Sequence, residues 1–309
     1  MVKYIIKRLL LIIPVLIGVT FVIYAIMSLT PGDAAMRILG ESARPEDLAR
    51  LREEMGLNDP FIVQYGRYMY NLIVNQDLGR SYITRRPVFN EIIVRFPNTI
   101  KLAISGTVVS LVVGIPLGVI SAAKRNTIID NLAMFFAMIG VSMPIFWQGI
   151  LLLLVFSVTL RWLPSSGFNT WQQMLLPSLT LGTGSAAIIA RMTRSSMLEV
   201  LKQNYVRTAE SKGLSQLIVI MKHAFRNALI PVVTIVGLQF GALLGGAVLT
   251  ETIFSINGVG RLMVDSIRSK DLMMVQGSVM LIASAFVMVN LFIDILYAFI
   301  DPRIRSQYK

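Results

Sequence analysis

Apolar stretches free of charge recur along the chain at residues 9–32, 102–123, 131–160, 162–190, 228–250 and 272–293. Each is long enough for a helix to cross bilayer hydrocarbon, which takes roughly 20 residues. The pattern predicts an all-α fold, a polytopic membrane bundle of six transmembrane helices. Arg161 and the turn-like Trp162-Leu163-Pro164-Ser165-Ser166-Gly167 separate the third run from the fourth, so the two read as separate helices with an interfacial tryptophan between them. The first run follows Lys3, Lys7 and Arg8 and exceeds the short core of a signal peptide, so it is expected to stay in the membrane. Residues 31–98 have a different texture. Pro45-Glu46-Asp47 opens and Gly56 closes a stretch with acids in its first turn, which predicts a short capped helix, and a second follows Pro60. The segment reads as a small external subdomain between the first two spans, either covering helix ends or docking a partner.

Composition strengthens the membrane assignment. The 309 residues are 55% apolar, against roughly 45–50% for a soluble domain. The formal charge of +12 comes from bases that border apolar runs instead of forming an aromatic-interleaved stripe. Lipid headgroups therefore fit it better than nucleic acid. With the N-terminus inside, the cytoplasmic side gains Lys3, Lys7, Arg8, Lys124, Arg125, the bases between Arg191 and Arg226, Arg303, Arg305 and Lys309. Short outer loops hold only Arg161, Arg261, Arg268 and Lys270. The imbalance predicts that both termini are cytoplasmic. No cysteine occurs and His223 is the single histidine, so a zinc or multi-histidine centre cannot be assembled from this chain alone.

Catalytic chemistry finds little support. The string Gly-x-x-x-x-Gly-Lys-Ser/Thr that cradles nucleotide phosphates is absent. Runs one to five contain no ionisable group of the kind an ion-coupled carrier places at mid-membrane, and Asp294 lies near the end of the sixth. A serine hydrolase built on Gly182-Thr183-Gly184-Ser185 would need His223, which falls in a charged loop. Gly237, Gly241 and Gly245 recur every fourth residue and predict a face that another helix can approach, in this chain or in a partner. Pro14, Pro116, Pro144, Pro177 and Pro231 fall in or beside runs, where they kink helices or start them. Gln148, Gln239, Gln276 and Asn290 are polar groups in apolar runs, fit either to bond neighbouring helices or to line a solute path.

The stretch Tyr205-Val206-Arg207-Thr208-Ala209-Glu210-Ser211-Lys212-Gly213-Leu214-Ser215 is charged and helix-forming, then interrupted. Gly213 can end one helix in a left-handed cap and Ser215 can cap the next, giving two short helices around a turn, though a plain connector is the other reading. This stretch resembles the cytoplasmic coupling motif of bacterial ABC importer permeases, Glu-Ala-Ala followed after three residues by Gly. Ala209 and Gly213 match its third alanine and its glycine. Arg207 and Thr208 replace its opening, and Leu229-Ile230-Pro231 comes later than in the general form, both habits of the dipeptide and oligopeptide branch. The likeness extends through Lys7-Arg8-Leu9-Leu10, Thr30-Pro31-Gly32-Asp33, Asp77-Leu78-Gly79-Arg80-Ser81, Arg95-Phe96-Pro97-Asn98-Thr99, Gly237-Leu238-Gln239, Glu251-Thr252-Ile253-Phe254 and Asp301-Pro302-Arg303. Ser255-Ile256-Asn257-Gly258 departs from it, since many relatives carry a tryptophan before Pro-Gly there.

The resemblance implies the type I ABC importer permease fold, with an N-terminal helix and external subdomain over 1–98, a transporter domain over 99–300 containing a coupling loop at about 191–227, and a tail over 301–309. It implies a bacterial or archaeal cytoplasmic-membrane protein without an ATPase site of its own. The partners would be a second related permease, two cytoplasmic ATPases carrying ATP and magnesium, and an external solute-binding protein. Arg207, Thr208, Ala209, Glu210, Lys212, Gly213, Leu214 and Ser215 would couple to the ATPases, with Ala209 keeping the first helix thin enough for an ATPase groove. Gln148, Gln239 and Asn290 would be the candidates for the solute path. The implied function is ATP-driven import of dipeptides, oligopeptides or a related small solute; the competing class is a stand-alone carrier or channel.

Overall fold

The computed structural model describes residues 2–29, 34–40 and 42–300. Residues 30–33, the tail with Asp301-Pro302-Arg303 and the side chains of Lys7, Arg8 and Asp294 lie outside the described part. Its helices are α1 (Val2–Leu29), α2 (Ala34–Leu39), α3 (Pro45–Glu54), α4 (Phe61–Val74), α5 (Val88–Ala123), α6 (Ile128–Ser142), α7 (Ile145–Leu152), α8 (Trp171–Val200), α9 (Asn204–Ser211), α10 (Gln216–Ile218), α11 (Arg226–Ile253), α12 (Val259–Arg268) and α13 (Leu272–Ile300). Among the described residues no strand forms, only an isolated bridge between Arg80 and Pro87.

The expected subdomain helices are present. Pro45 starts α3, and Gly56 at φ +64° ends it, with the Leu57 amide reaching back to the Arg52 carbonyl at 2.9 Å. Pro60 precedes α4. Phe21 and Tyr24 of α1 meet Phe61 and Tyr65 of α4 edge to face, which fastens the subdomain to the first span.

Five helices are each long and apolar enough to span, and the run at 131–160 supplies the sixth crossing in a form the apolar pattern did not specify. α6 and α7 meet at Met143 and Pro144 with a bend of 103°. Proline there removes an amide and forces the preceding residue out of the helical region, and Met143 is extended at ψ 128°. α6 starts beside Arg194 near the end of α8, while the chain after α7 leads to the start of α8 at Trp171, so the bent pair crosses once. Beyond α7 the helix continues with π geometry over Leu153–Thr159.

The centre of the bundle is the parallel pair α5 and α8, which make the most extensive contact of any two elements. Gly106, Ser110, Gly114 and Gly118 recur every fourth residue on α5 and are buried. Ser178, Gly182, Ala186 and Ala190 do the same on α8. A β-carbon on Gly114 would lie 2.5 Å from the Ala186 carbonyl oxygen, and one on Gly118 would lie 2.6 Å from that of Ala190. The backbones therefore touch, and dispersion contacts replace the hydrophobic drive that lipid cannot supply. On the opposite face of α5, Ile104, Val108 and Val112 are exposed, as suits a lipid-facing surface. Leu102, Leu176, Leu181, Leu244, Phe254 and Ile256 fill the core where α5, α8 and α11 meet.

Candidate functional site

Helix directions sort the extramembrane pieces onto two ends of the bundle. One end holds the close of α5, the start of α6, the close of α8, then α9 and α10. Here α8 runs to Val200, beyond the fourth apolar run, and carries Arg191 and Arg194 within the helix. Lys212 closes α9, and Gly213 follows at φ +77° with its amide on the Glu210 carbonyl at 2.9 Å. That is the left-handed cap the sequence predicts. A β-carbon at Gly213 would meet nothing within 4 Å, so conformation and not space favours glycine. Ser215 stands at the N-cap position with extended backbone, but its side chain makes no capping bond.

Two expectations about this turn need correction. The second helix is not a short separate piece: α10 passes through a π-helical stretch, Val219–Phe225, into α11, and the whole Gln216–Ile253 is one continuous helix. Ala209 does not face outward for a partner's groove either. It is buried with Val206 and Val219 against Val200 and Leu201, so its small side chain lets α9 close onto its own chain. Asn227 ties the other flank by donating to the Tyr205 hydroxyl at 2.8 Å. The exposed surface is formed by Arg207, Thr208, Glu210, Lys212, Gly213, Leu214 and Ser215.

At the same end lies an ion pair with a buried carboxylate that the sequence reading missed. Asp130, 2% exposed, accepts from Arg194 Nε and Nη2, both at 2.8 Å, from the Ser121 hydroxyl and from the Asn126 amide at 3.0 Å. One carboxylate thus joins α5, α6 and α8 with every oxygen engaged.

The opposite end holds α2 to α4 and α12. Glu251, fully buried at the close of α11, accepts from Thr99 Oγ1 at 2.6 Å, from the Arg261 amide at 2.9 Å and from the Gly260 amide. Thr99 Oγ1 in turn takes the Val259 amide at 2.9 Å. The first three amides of α12 are therefore capped by α5 and α11, because its own N-cap, Gly258, has no side chain to do it. A β-carbon at Gly258 would fall 2.3 Å from the Glu251 carboxylate, so this close approach requires glycine. In Ser255-Ile256-Asn257-Gly258, Ile256 is buried in the core and Asn257 is held by Arg95 at 3.0 Å and Asn98 at 2.9 Å. The segment 77–81 is anchored similarly: Asp271 accepts from the Ser81 hydroxyl and from the Tyr82 amide at 3.1 Å while capping α13.

The remaining candidates divide. Gly237 and Gly241 pack against Ile293 and Phe286 of α13 in the same chain, whereas Gly245 has nothing within 4 Å, so the glycine strip is not one continuous contact. Gln239 donates to Ser185 at 3.2 Å, an interhelical bond that also occupies the serine of the hydrolase reading. Gln148 and Asn290 are half-buried on α7 and α13. An apolar cavity of about 440 Å³ between α11 and α13 is lined by Thr107, Val233, Phe240, Val289 and Phe292 among others, and by none of the three amides. Gln276 is buried with both amide atoms unpartnered among the described residues. Among those residues no group of three or more acids and histidines forms a metal site.

Known proteins resemble the chain over its whole length. Residues 114–306 match the family described as binding-protein-dependent transport system inner membrane component, and residues 1–103 match the N-terminal family of such membrane components. A dipeptide transport system permease protein, DppB, of Alkalihalophilus pseudofirmus is 46% identical, covering 99% of this chain and 100% of the relative. The glutathione transport system permease protein GsiC of Escherichia coli K12 is 44% identical, covering 99% of each. Among solved structures, an inward-facing MetNI methionine ABC transporter aligns with a TM-score of 0.56 at 17% identity over 68% of this chain and 96% of that one. An amino acid ABC transporter aligns at 0.52 with 16% identity over 70% and 94%. With its six-crossing bundle, the α9–α10 turn at one end and this likeness from end to end, the chain belongs to the inner membrane component family of binding-protein-dependent transport systems.

Proposed function

We propose that this permease forms half of the translocation unit of an ATP-driven importer of dipeptides, oligopeptides or related small solutes, paired with a second permease. Two cytoplasmic ATPases carry ATP and magnesium and drive it through the turn at Gly213, and an external solute-binding protein delivers the cargo. Both termini and the α9–α10 turn face the cytoplasm, while α2 to α4 and α12 face outward.

The observation that carries this reading is mechanical. The turn presents Arg207, Thr208, Glu210, Lys212 and Leu214 outward, packs Val206, Ala209 and Val219 on its own chain, and leads into a continuous helix reaching Ile253. A push on the turn is thereby delivered along α11 to Glu251 and the far end of the bundle, as alternating access requires. The peptide assignment draws on the dipeptide and glutathione permeases, similar over the full chain. Gly213→Val tests the coupling, because a β-branched residue is strained at φ +77° while the space around it stays open. In reconstituted importer, this change should leave insertion and permease pairing intact and lower ATPase association or solute-stimulated ATP turnover. Unchanged ATPase binding and uptake would reduce the turn to a connector. Uptake by the chain alone in liposomes would favour a stand-alone carrier instead.

A further inference from the structure

Helix α4 has two apolar faces, and the fold uses one of them. Phe61, Tyr65 and Tyr68 turn toward Phe21 and Tyr24 of α1, and the Tyr65 hydroxyl donates to the Ile17 carbonyl at 3.1 Å. The second face is bare. Ile62, Gly66, Tyr70 and Ile73 follow at helical spacing, with Val63 and Val74 beside them. All six are exposed, Ile62 by 67% and Ile73 by 65%, and none carries a charge. Polar residues form a third edge, which is bound to the connection from α3. There Gln64 donates to the Leu57 and Asp59 carbonyls at 3.1 and 2.8 Å, and Arg67 meets the Asp59 carboxylate at 2.5 Å.

The position of α4 says what covers the bare stripe. The apolar span of α1 is Leu10–Leu29, and Thr20, in contact with Tyr65 and Met69, lies nine residues inside its outer end. That is about 14 Å along a helix rising roughly 1.5 Å per residue. At the other end of α4, Leu72 shares an apolar cavity with Met280, eight residues inside the span that opens at Leu272 and so about 12 Å along α13. Two spans therefore agree in setting α4 at the level of one leaflet, whose hydrocarbon is roughly 15 Å deep. The rotation of the helix fits that depth. Tyr65 and Met69 reach Ile17 and Thr20, whereas Gln64 and Tyr68 reach Tyr24, nearer the outer end of α1. Ile62 and Ile73 lie next to Tyr65 and Met69 on the helix surface and so share the side turned toward the bilayer. Phe21 at the contact, with Val22 and Ile26 of α1, is exposed and apolar too.

We propose that α4 is an in-plane helix seated in the outer leaflet, where lipid acyl chains cover Ile62, Gly66, Tyr70 and Ile73. The Tyr70 hydroxyl and the Gln64–Arg67 edge then meet headgroups and water, and the lipid surface holds the external subdomain down on the bundle.

Nitroxide labels on single cysteines test this in the full chain in lipid nanodiscs, alone and within the reconstituted importer, since the parent has no cysteine. Relaxation by oxygen, which concentrates among acyl chains, is compared with relaxation by a neutral nickel chelate, which stays in water. The oxygen-to-chelate ratio at Ile62→Cys and Ile73→Cys should exceed that at Arg50→Cys, on the exposed face of α3, by about tenfold. Along 62–74 it should vary with the helical period, high at Gly66→Cys, where added atoms meet open space, and low at Asn71→Cys. A ratio at Ile62 and Ile73 no higher than at Arg50 would put the stripe in water and overturn the proposal. Weak relaxation by both agents in either setting would overturn it as well, because protein and not lipid then covers the stripe. Ile62 and Ile73 stand at opposite ends of the stripe, so either label decides where the other variant fails to fold.

Discussion

Glu251 gives up its hydration completely, and three hydrogen bonds from Thr99, Gly260 and Arg261 stand in for the lost water. Removing the carboxylate would leave the first amides of α12 without acceptors inside the protein, at about 1–3 kcal/mol for each orphan. Glu251→Ala should therefore lower stability by about 3 kcal/mol, read as a fall in melting temperature in nanodiscs. Glu251→Gln keeps the shape and one acceptor and should recover much of that loss; equal loss in both would mean that the side chain serves packing and not capping. Asp130 plays the matching role at the other end, against Arg194. Both acids were hard to see in the sequence for the same reason. Each is the residue next to an apolar run, Asp130 before 131–160 and Glu251 after 228–250, so hydropathy reads it as the boundary and not as part of the buried bundle. Folding extends the helices past these boundaries, and only the extended helix brings Thr99 to Glu251 or Arg194 to Asp130.

At the level of elements, glycine spacing was legible but pointed first to the looser of two contacts. Gly237 and Gly241 touch α13 through side chains, Ile293 and Phe286, which can shift. The tighter seam is Gly106, Ser110, Gly114 and Gly118 against Gly182, Ala186 and Ala190, where backbone meets backbone and nothing can move aside. Its four-residue repeat was present in the sequence, though split between two distant runs that only the fold sets side by side. Gly114→Leu should thus prevent recovery of folded chain in detergent, whereas Gly245→Leu, with open space around it, should elute and melt like the parent. A folded Gly114→Leu protein with unchanged melting would show that α5 and α8 separate without penalty. The bend at Pro144 was likewise only half readable. Proline marks a kink, but 103° depends on where α7 finds Thr180 and Ile253 to pack against at Gly149.

For the molecule as a whole, six crossings and the identity of the extramembrane pieces could be read from run lengths and charge, because bilayer thickness and the cost of bare backbone in lipid leave few alternatives. Sidedness rests on the bases alone and is open to direct measurement. The chain has no cysteine, so single cysteines at Ser42 and Ser165 should react with an impermeant thiol reagent in intact cells while one at Ser211 should not. External labelling at Ser211 would invert the arrangement. The parallel pairing of α5 with α8 also carries a consequence for how the chain is made. Synthesis proceeds from the N-terminus, so α5 enters the bilayer with its glycine groove bare and must wait while the bent α6–α7 crossing and then α8 are produced. Until α8 arrives, the surface least suited to lipid is the one most exposed to it. A nascent chain halted before α8 therefore presents quality-control proteases with an open seam, and insertion of the third long helix becomes the step that commits the protein to survival.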